Sequence, residues 1–265
     1  MSMKLERTEA ASGGPRTVVI DAYPSAALEY TDDYAIVAID VIRATTTAMT
    51  AVACGRRCFV APTVDAASVL AQELDHPLLA GEIGGNMPFG FEMDNSPAEI
   101  AERTDVERAM ILVTSSGTLL IHNAALSGHA YLACFRNVGP TVRHLATRYE
   151  RVAVIGAGSR GEFREEDQFC CAQVASGLLS SGFSAANDRT LEIVERWRNE
   201  APDAWLRSNS VRFLRSTGQE RDLEFILAHR NDLDDAYRIE GSEVRRVGGA
   251  DDIREKRRER VAGTR

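Results

Sequence analysis

The chain has no run of about 18 apolar residues, so its sequence offers no membrane-spanning helix. It has no basic-then-apolar leader at its start, and a cytoplasmic location is expected. Cysteine is scarce and lacks any zinc spacing: there are five, with Cys54 and Cys58 four apart and Cys170 beside Cys171. Free thiols are expected rather than a disulfide framework. Lysine is almost missing. Of 31 basic residues only Lys4 and Lys256 are lysine, a bias that reads as GC-rich coding rather than function. Positive charge is short overall, and a formal net charge of -8 argues against a general nucleic-acid role. The basic run REKRRER near the C-terminus reads as a solvated end. No internal repeat or low-complexity tract is present.

What remains is an ordinary globular composition, 44% apolar and 26% charged over 265 residues. That length makes one large domain or two modest ones, with a sizeable core. TVVIDAY (17–23) and YAIVAID (34–40) read as strands, the second a continuous apolar run of the kind buried on both faces. RATTTAMTAVACG then gives a helix from near Thr45 to Gly55. Strand–helix alternation continues with RCFVAPT, VDAASVLAQEL, MILVTSS, GTLLIHNAALSG, HAYLACF, a helix over 138–149, RVAVIGA and a helix over 165–181. Such alternation predicts an α/β fold of three α/β/α layers around a mainly parallel sheet. The expected division is a flexible arm (1–16), an α/β core (17–185), a helical extension packed on the core (186–249) and a charged flexible tail (250–265).

In open α/β sheets ligands gather beyond the carboxyl ends of strands. After the second strand come Asp40, Arg43, Thr45, Thr46 and Thr47. A carboxylate, a guanidinium and hydroxyls at a helix start suit a phosphate and its metal. Ser115-Ser116-Gly117-Thr118 follows another strand and is a second candidate cradle; plain capping is the alternative there. The glycine- and proline-bearing segment LLAGEIGGNMPFGFEMDNSPAEI (78–100) excludes a regular element over most of its length, and Glu82 within it could face a metal. Asn95-Ser96-Pro97 also reads as a helix cap.

RVAVIGAGSRGEFREED (151–167) carries G-x-G-x-x-G at Gly156, Gly158 and Gly161, the dinucleotide spacing. Glu162, Glu165, Glu166 and Asp167 follow at once and would repel a pyrophosphate. Carboxylates beside a phosphate make sense with Mg²⁺ between them. Dinucleotide binding is rejected on that ground.

The segments AIDVIRATTTAMTAVACG, AGEIGGNMPFGFEMDNSPAEI, LVTSSGT, FRNVGP and GAGSRGEFREEDQFCCAQV occur in an order that resembles the ComB family, the 2-phosphosulfolactate phosphatases and their relatives. The likeness spans roughly residues 34 to 181 and continues faintly into DLEFILAHRNDL. It implies a Mg²⁺-dependent phosphatase that takes 2-phosphosulfolactate, or the phosphate ester of another small 2-hydroxy acid, to the hydroxy acid and phosphate. The positions it carries over are Asp40, Arg43, Thr45, Thr46, Thr47, Glu82, Gly84, Gly85, Asn95, Ser96, Ser115, Ser116, Gly117, Asn137, Glu166 and Asp167. Asp40, Glu82, Glu166 and Asp167 are the candidate metal ligands; Asp40, Arg43, Glu166 and Asp167 the candidate catalytic groups. Ser116 stands where the family pattern has asparagine and Ile83 where it has a basic residue, which bears on the substrate rather than on the chemistry. Whether water or Asp40 attacks is left open, as is a homo-oligomer. The rival reading is a catalytically silent protein of this fold that binds a phosphorylated metabolite.

Overall fold

A computed structural model describes residues 14–30 and 33–247. The charged tail over 250–265 and all but the last residues of the expected N-terminal arm lie outside the described residues. Among those residues no helix is long and apolar enough to cross a membrane.

The alternation read from the sequence is realised. The elements in chain order are β1 (Thr17–Ala22), β2 (Ala35–Ile39), α1 (Ala44–Ala53), β3 (Cys58–Val60), α2 (Val64–Ala71), β4 (Leu78–Gly81), α3 (Pro97–Glu102), β5 (Met110–Val113) and α4 (Gly117–Ala125). There follow β6 (Ala130–Ala133), α5 (Val138–Ala146), β7 (Arg151–Gly156), α6 (Glu165–Ser180), β8 (Ser184–Ala185), α7 (Asp188–Asn199), α8 (Asn209–Ser216), α9 (Glu220–Ala228), β9 (Ala236–Glu240) and β10 (Glu243–Val247). They build one sheet in the order β4-β5-β3-β10-β9-β6-β2-β7-β1-β8. β2 is buried at every residue, as a strand covered on both faces must be. α1 packs on α3 and α4, and α6 packs on α5 and α7, giving the α/β/α layering. The main core runs through β1, β2, β6 and β7 with α1 and α6; a smaller apolar cluster around Phe59, Ala67, Phe91 and Ile111 lies beneath α2.

Two differences from the sequence reading follow from strand chemistry. β4 sits inside the segment read as irregular, paired in parallel with β5 from Leu78↔Met110 to Gly81↔Val113. The expected helical extension over 186–249 is helical only as far as α9. Its last part is the β9–β10 hairpin, which enters the middle of the sheet. YRIE-GS-EVRR alternates on either side of a two-residue Gly-Ser loop, and Gly241 has φ 59°, the positive value that such a tight hairpin needs at its first loop position. The hairpin is antiparallel to β3 on one side and to β6 on the other. It therefore joins two parallel blocks, β4-β5-β3 and β6-β2-β7-β1-β8, that run in opposite senses.

A hairpin that is part of the core should behave like one under mutation. Tyr237, on β9 and fully buried, should lower the unfolding free energy by about 3 kcal/mol or more when changed to Ala. Urea unfolding measures this, and a change within about 0.5 kcal/mol would be the response of a surface appendage.

Candidate active site

The loops after β2, β4, β5 and β7 and the helix α8 enclose one cavity of about 610 Å³, within the range of about 300–1,000 Å³ usual for small-molecule sites. Asp40 follows β2 directly and lines it. Its carboxylate fits only because residue 117 has no side chain: a Cβ there would lie 2.1 Å from Asp40 Oδ2 and 2.4 Å from Ala44 Cβ. Asp167 enters from the first turn of α6. Its Oδ1 accepts from the Val41 amide at 2.9 Å and its Oδ2 more weakly from the Gly158 amide at 3.4 Å. It thereby fastens the end of β2 to the glycine-rich turn after β7.

Glu82 also lines the cavity, but both its oxygens are engaged. Oε1 accepts from the Ser115 amide at 2.9 Å, and Oε2 accepts from the Gly85 amide at 2.7 Å and the Ser115 hydroxyl at 3.0 Å. The Gly84 amide in turn donates to the Ser115 hydroxyl at 2.8 Å. Glu82 thus clasps the loop after β4 to the loop after β5. Arg43 is equally committed. Its Nη1 donates to Asp222 Oδ2 at 2.6 Å, with Asp94 at 3.5 Å from Nη2. Asp222, on α9, also accepts from the Ser96 hydroxyl at 2.5 Å and the Ala98 amide at 3.2 Å.

Several expected phosphate contacts are placed elsewhere. The Thr45 hydroxyl accepts from the Asp40 amide at 3.1 Å and lies 2.7 and 2.9 Å from the Asp40 and Ala133 carbonyls. Thr46 donates to the Val41 carbonyl, and Thr47 is buried with no partner for its hydroxyl. Thr45 and Thr46 pin the start of α1, and none of the three lines the cavity. Asn137 is internal, accepting from the Cys134 amide and donating to the Leu132 carbonyl. Ser96 caps α3. Gly84, Gly85, Asn95, Ser115 and Ser116 do line the cavity, and the Asn95 side-chain oxygen is buried with no partner. Ile83, half exposed, is not part of the wall.

The sequence reading missed Asp222, Asp94, Arg160, Arg164, Asn209, Ser210 and Arg212. All except Asp222 and Asp94 line the cavity. The acidic stretch beginning Asp222-Leu223-Glu224-Phe225 was the available signal for Asp222; the others lie on a turn and a short helix whose approach needs the folded chain.

Burial sets the electrostatics. Desolvation, reinforced by Glu82 and Glu166, pushes the Asp40 carboxyl up to about 7, against the Ala44 amide and Arg43, which lower it. Asp167 is raised well above its ordinary value by burial and then by Asp40 and Glu166. Glu166 is raised by burial as well, although Ser210 and Ser208 stand beside it, and its Oε2 is buried without a hydrogen-bond partner. Glu166 does not itself line the cavity. Among the described residues these three carboxylates make no ion pair, and no group of three or more His, Cys, Asp or Glu is placed to hold a metal ion by itself.

The family model described as 2-phosphosulpholactate phosphatase matches residues 22–234. The chain is 34% identical over 181 residues to a probable 2-phosphosulfolactate phosphatase of Deinococcus radiodurans, covering 67% of this chain and 75% of that one. It is 32% identical over 213 residues to a protein of the same description from Thermus thermophilus, covering 78% of this chain and 87% of that one. A third such protein, from Thermotoga maritima, is 32% identical over 193 residues, covering 71% and 82%.

The carboxylate cluster has a thermodynamic signature. Asp40 holds its proton up to about pH 7 when folded, against an ordinary value of 3.8. Between those values the folded state binds more protons than the unfolded one. Its contribution to stability is therefore full below 3.8 and is lost as pH rises through about 7. In EDTA, the urea midpoint should be lower at pH 8 than at pH 5, and Asp40→Asn should shrink the difference. Carboxylates with lowered values, such as Asp105 and Glu92, act only in more acid solution and leave this window clear. A wild-type midpoint that rises from pH 5 to pH 8 would contradict the assignment.

Proposed function

The chain belongs to the 2-phosphosulpholactate phosphatase family, and on that premise we propose that it hydrolyses 2-phosphosulfolactate to 3-sulfolactate and phosphate with the aid of Mg²⁺. The observation that carries this reading is the meeting of Asp40 and Asp167, both buried and raised, with a buttressed arginine in one cavity. Such a floor repels a phosphate ester unless a cation lies between them. The donor set fits Mg²⁺: carboxylate oxygens only, one of them, Glu166 Oε2, buried and unpartnered. The open arrangement fits as well, because Mg²⁺ keeps much of its water and is often held by one or two carboxylates and the substrate phosphate. Asp40, which lines the cavity, would hold the ion, with Asp167 and the more deeply buried Glu166 beside it. When bound, it supplies neutralisation of charge on the phosphoryl oxygens.

The chain's own residues then have distinct tasks. Arg43, fixed through Nη1 by Asp222, has its remaining N–H groups to direct at the transferring phosphoryl group, where charge accumulates. Backbone amides at the start of α1 and α4 add positive potential at the same place. Asp167 lines the cavity and burial raises it, which favours it as the acid that protonates the departing alkoxide. Oδ2, the oxygen with the longer amide bond, is the one to hold the proton. Asp222 is a positioning residue: it touches Arg43 and not the reacting atoms.

Phosphate release from 2-phosphosulfolactate should require Mg²⁺ and stop in EDTA, and Asp40→Asn should abolish it with the circular dichroism spectrum unchanged. Asp222→Asn should lower kcat by about 10- to 100-fold, the loss of one charge-assisted hydrogen bond in the transition state, with a smaller change in KM. Release that persists in EDTA, or in the Asp40→Asn protein, would overturn the metal-assisted reading.

A further inference from the structure

Four arginines line the cavity: Arg43, Arg160, Arg164 and Arg212. Arg43 is paired with Asp222 and Asp94. The other three come from the turn after β7 and from α8, and they are poorly neutralised. Arg164 pairs through Nη1 with Glu162, while its Nε is buried with no partner. Arg212 donates to the side-chain oxygen of Asn209 and has no carboxylate partner among the described residues. Arg160 has neither an ion pair nor a side-chain hydrogen bond among the described residues, and its backbone has φ 50°, a left-handed value uncommon outside glycine. Among the described residues Glu162 is the single carboxylate of this wall. It accepts from Arg164 and, at 2.6 Å, from Asn209 Nδ2, so it ties the turn to α8.

Three guanidinium groups against one carboxylate leave this wall with a surplus of two positive charges, in a chain whose formal net charge is -8. Like charges crowded at one rim repel, and an anion between them removes the repulsion. Arginine, with its planar fork of donors, matches the flat array of oxygens on a carboxylate or sulfonate. The phosphoryl group is provided for at Asp40 and Arg43, so this wall has a different anion to hold.

Resting on the phosphatase reading above, we infer that Arg160, Arg164 and Arg212 form a second anion subsite that binds the non-transferred strong-acid group of the substrate, with Ser159 and Ser210 at its edge. The site therefore selects phosphate esters of hydroxy acids that carry a second acid group over those of simple hydroxy acids. Glu162 is the internal counter-ion that keeps Arg164 in place.

Titration calorimetry on the full chain with Mg²⁺ tests this without turnover, using 3-sulfolactate, malate and lactate. Malate replaces the sulfonate with a carboxylate, and lactate has no second acid. The wild type should bind 3-sulfolactate more tightly than lactate. The double variant Arg160→Gln with Arg212→Gln should weaken 3-sulfolactate binding by about tenfold or more and leave lactate unchanged. Malate bound as tightly as 3-sulfolactate assigns the subsite to strong acids generally; malate bound like lactate assigns it to sulfonate. Equal affinity of wild type and variant for 3-sulfolactate, or no preference of the wild type over lactate, overturns the subsite. Phosphate release by the wild type, followed separately, keeps the two readings apart. Hydrolysis with arginine-independent binding removes the subsite alone, and arginine-dependent binding without hydrolysis removes the phosphatase alone.

Discussion

The site depends on one electrostatic constraint: Asp40, Glu166 and Asp167 are buried together where β2 and β7 end, and they repel one another. Buried charge of one sign is stable only if dipoles or counter-charges surround it. The fold meets this with the nearby Arg43 and with three backbone amides, those of Val41, Gly158 and Ala44. Each amide sits at the start of a helix or in a glycine turn, where N–H groups have no partner within the element. The packing is equally exacting, since Asp40 occupies the volume that any side chain at residue 117 would take. Charge and shape at this point are set by the same few backbone segments.

Around that centre the molecule uses its other polar groups as struts. Glu82 clasps two loops through three donors, two backbone amides and a hydroxyl, and Thr45 and Thr46 lock the start of α1. Asp222 arrives from a helix near the end of the chain and fixes Arg43 to α3. The groups that remain open to a ligand are correspondingly few. The region after residue 186 is thus part of the site's construction, through α8 and α9.

The positions of β1, β2, β3, β5, β6 and β7 were legible because their apolar runs alternate with helices, whereas β4, inside a glycine-rich segment, and the two-residue β8 were not. That Asp40, Arg43 and Asp167 meet at one cavity was legible as well, because acid and arginine at strand–helix junctions gather at the carboxyl ends of strands. Thr45, Thr46, Thr47 and Asn137 show the limit of that logic. A hydroxyl or amide at a helix start suits a phosphate and a backbone carbonyl equally, and only rotamer and burial decide between them. The arginine wall was hidden for another reason. Arginine is the general basic residue of this chain, so Arg160, Arg164 and Arg212 stood out by neither type nor spacing. The β9–β10 hairpin, in contrast, carried a readable signal in its Gly-Ser loop, masked by the long helical stretch before it.

The position of that hairpin also governs how the molecule comes together as it is made. β3 and β6 have no contact as neighbours in the sheet; β10 and β9 stand between them. A growing chain therefore completes two separate half-sheets and then carries both with a bare edge. About fifty residues separate Ala185, the end of β8, from Ala236, so at about 5–20 residues per second the wait lasts roughly 3–10 s. Bare strand edges invite pairing with other chains during such an interval. The last strands thus act as a keystone, and the nascent protein is exposed to misassembly until they leave the ribosome.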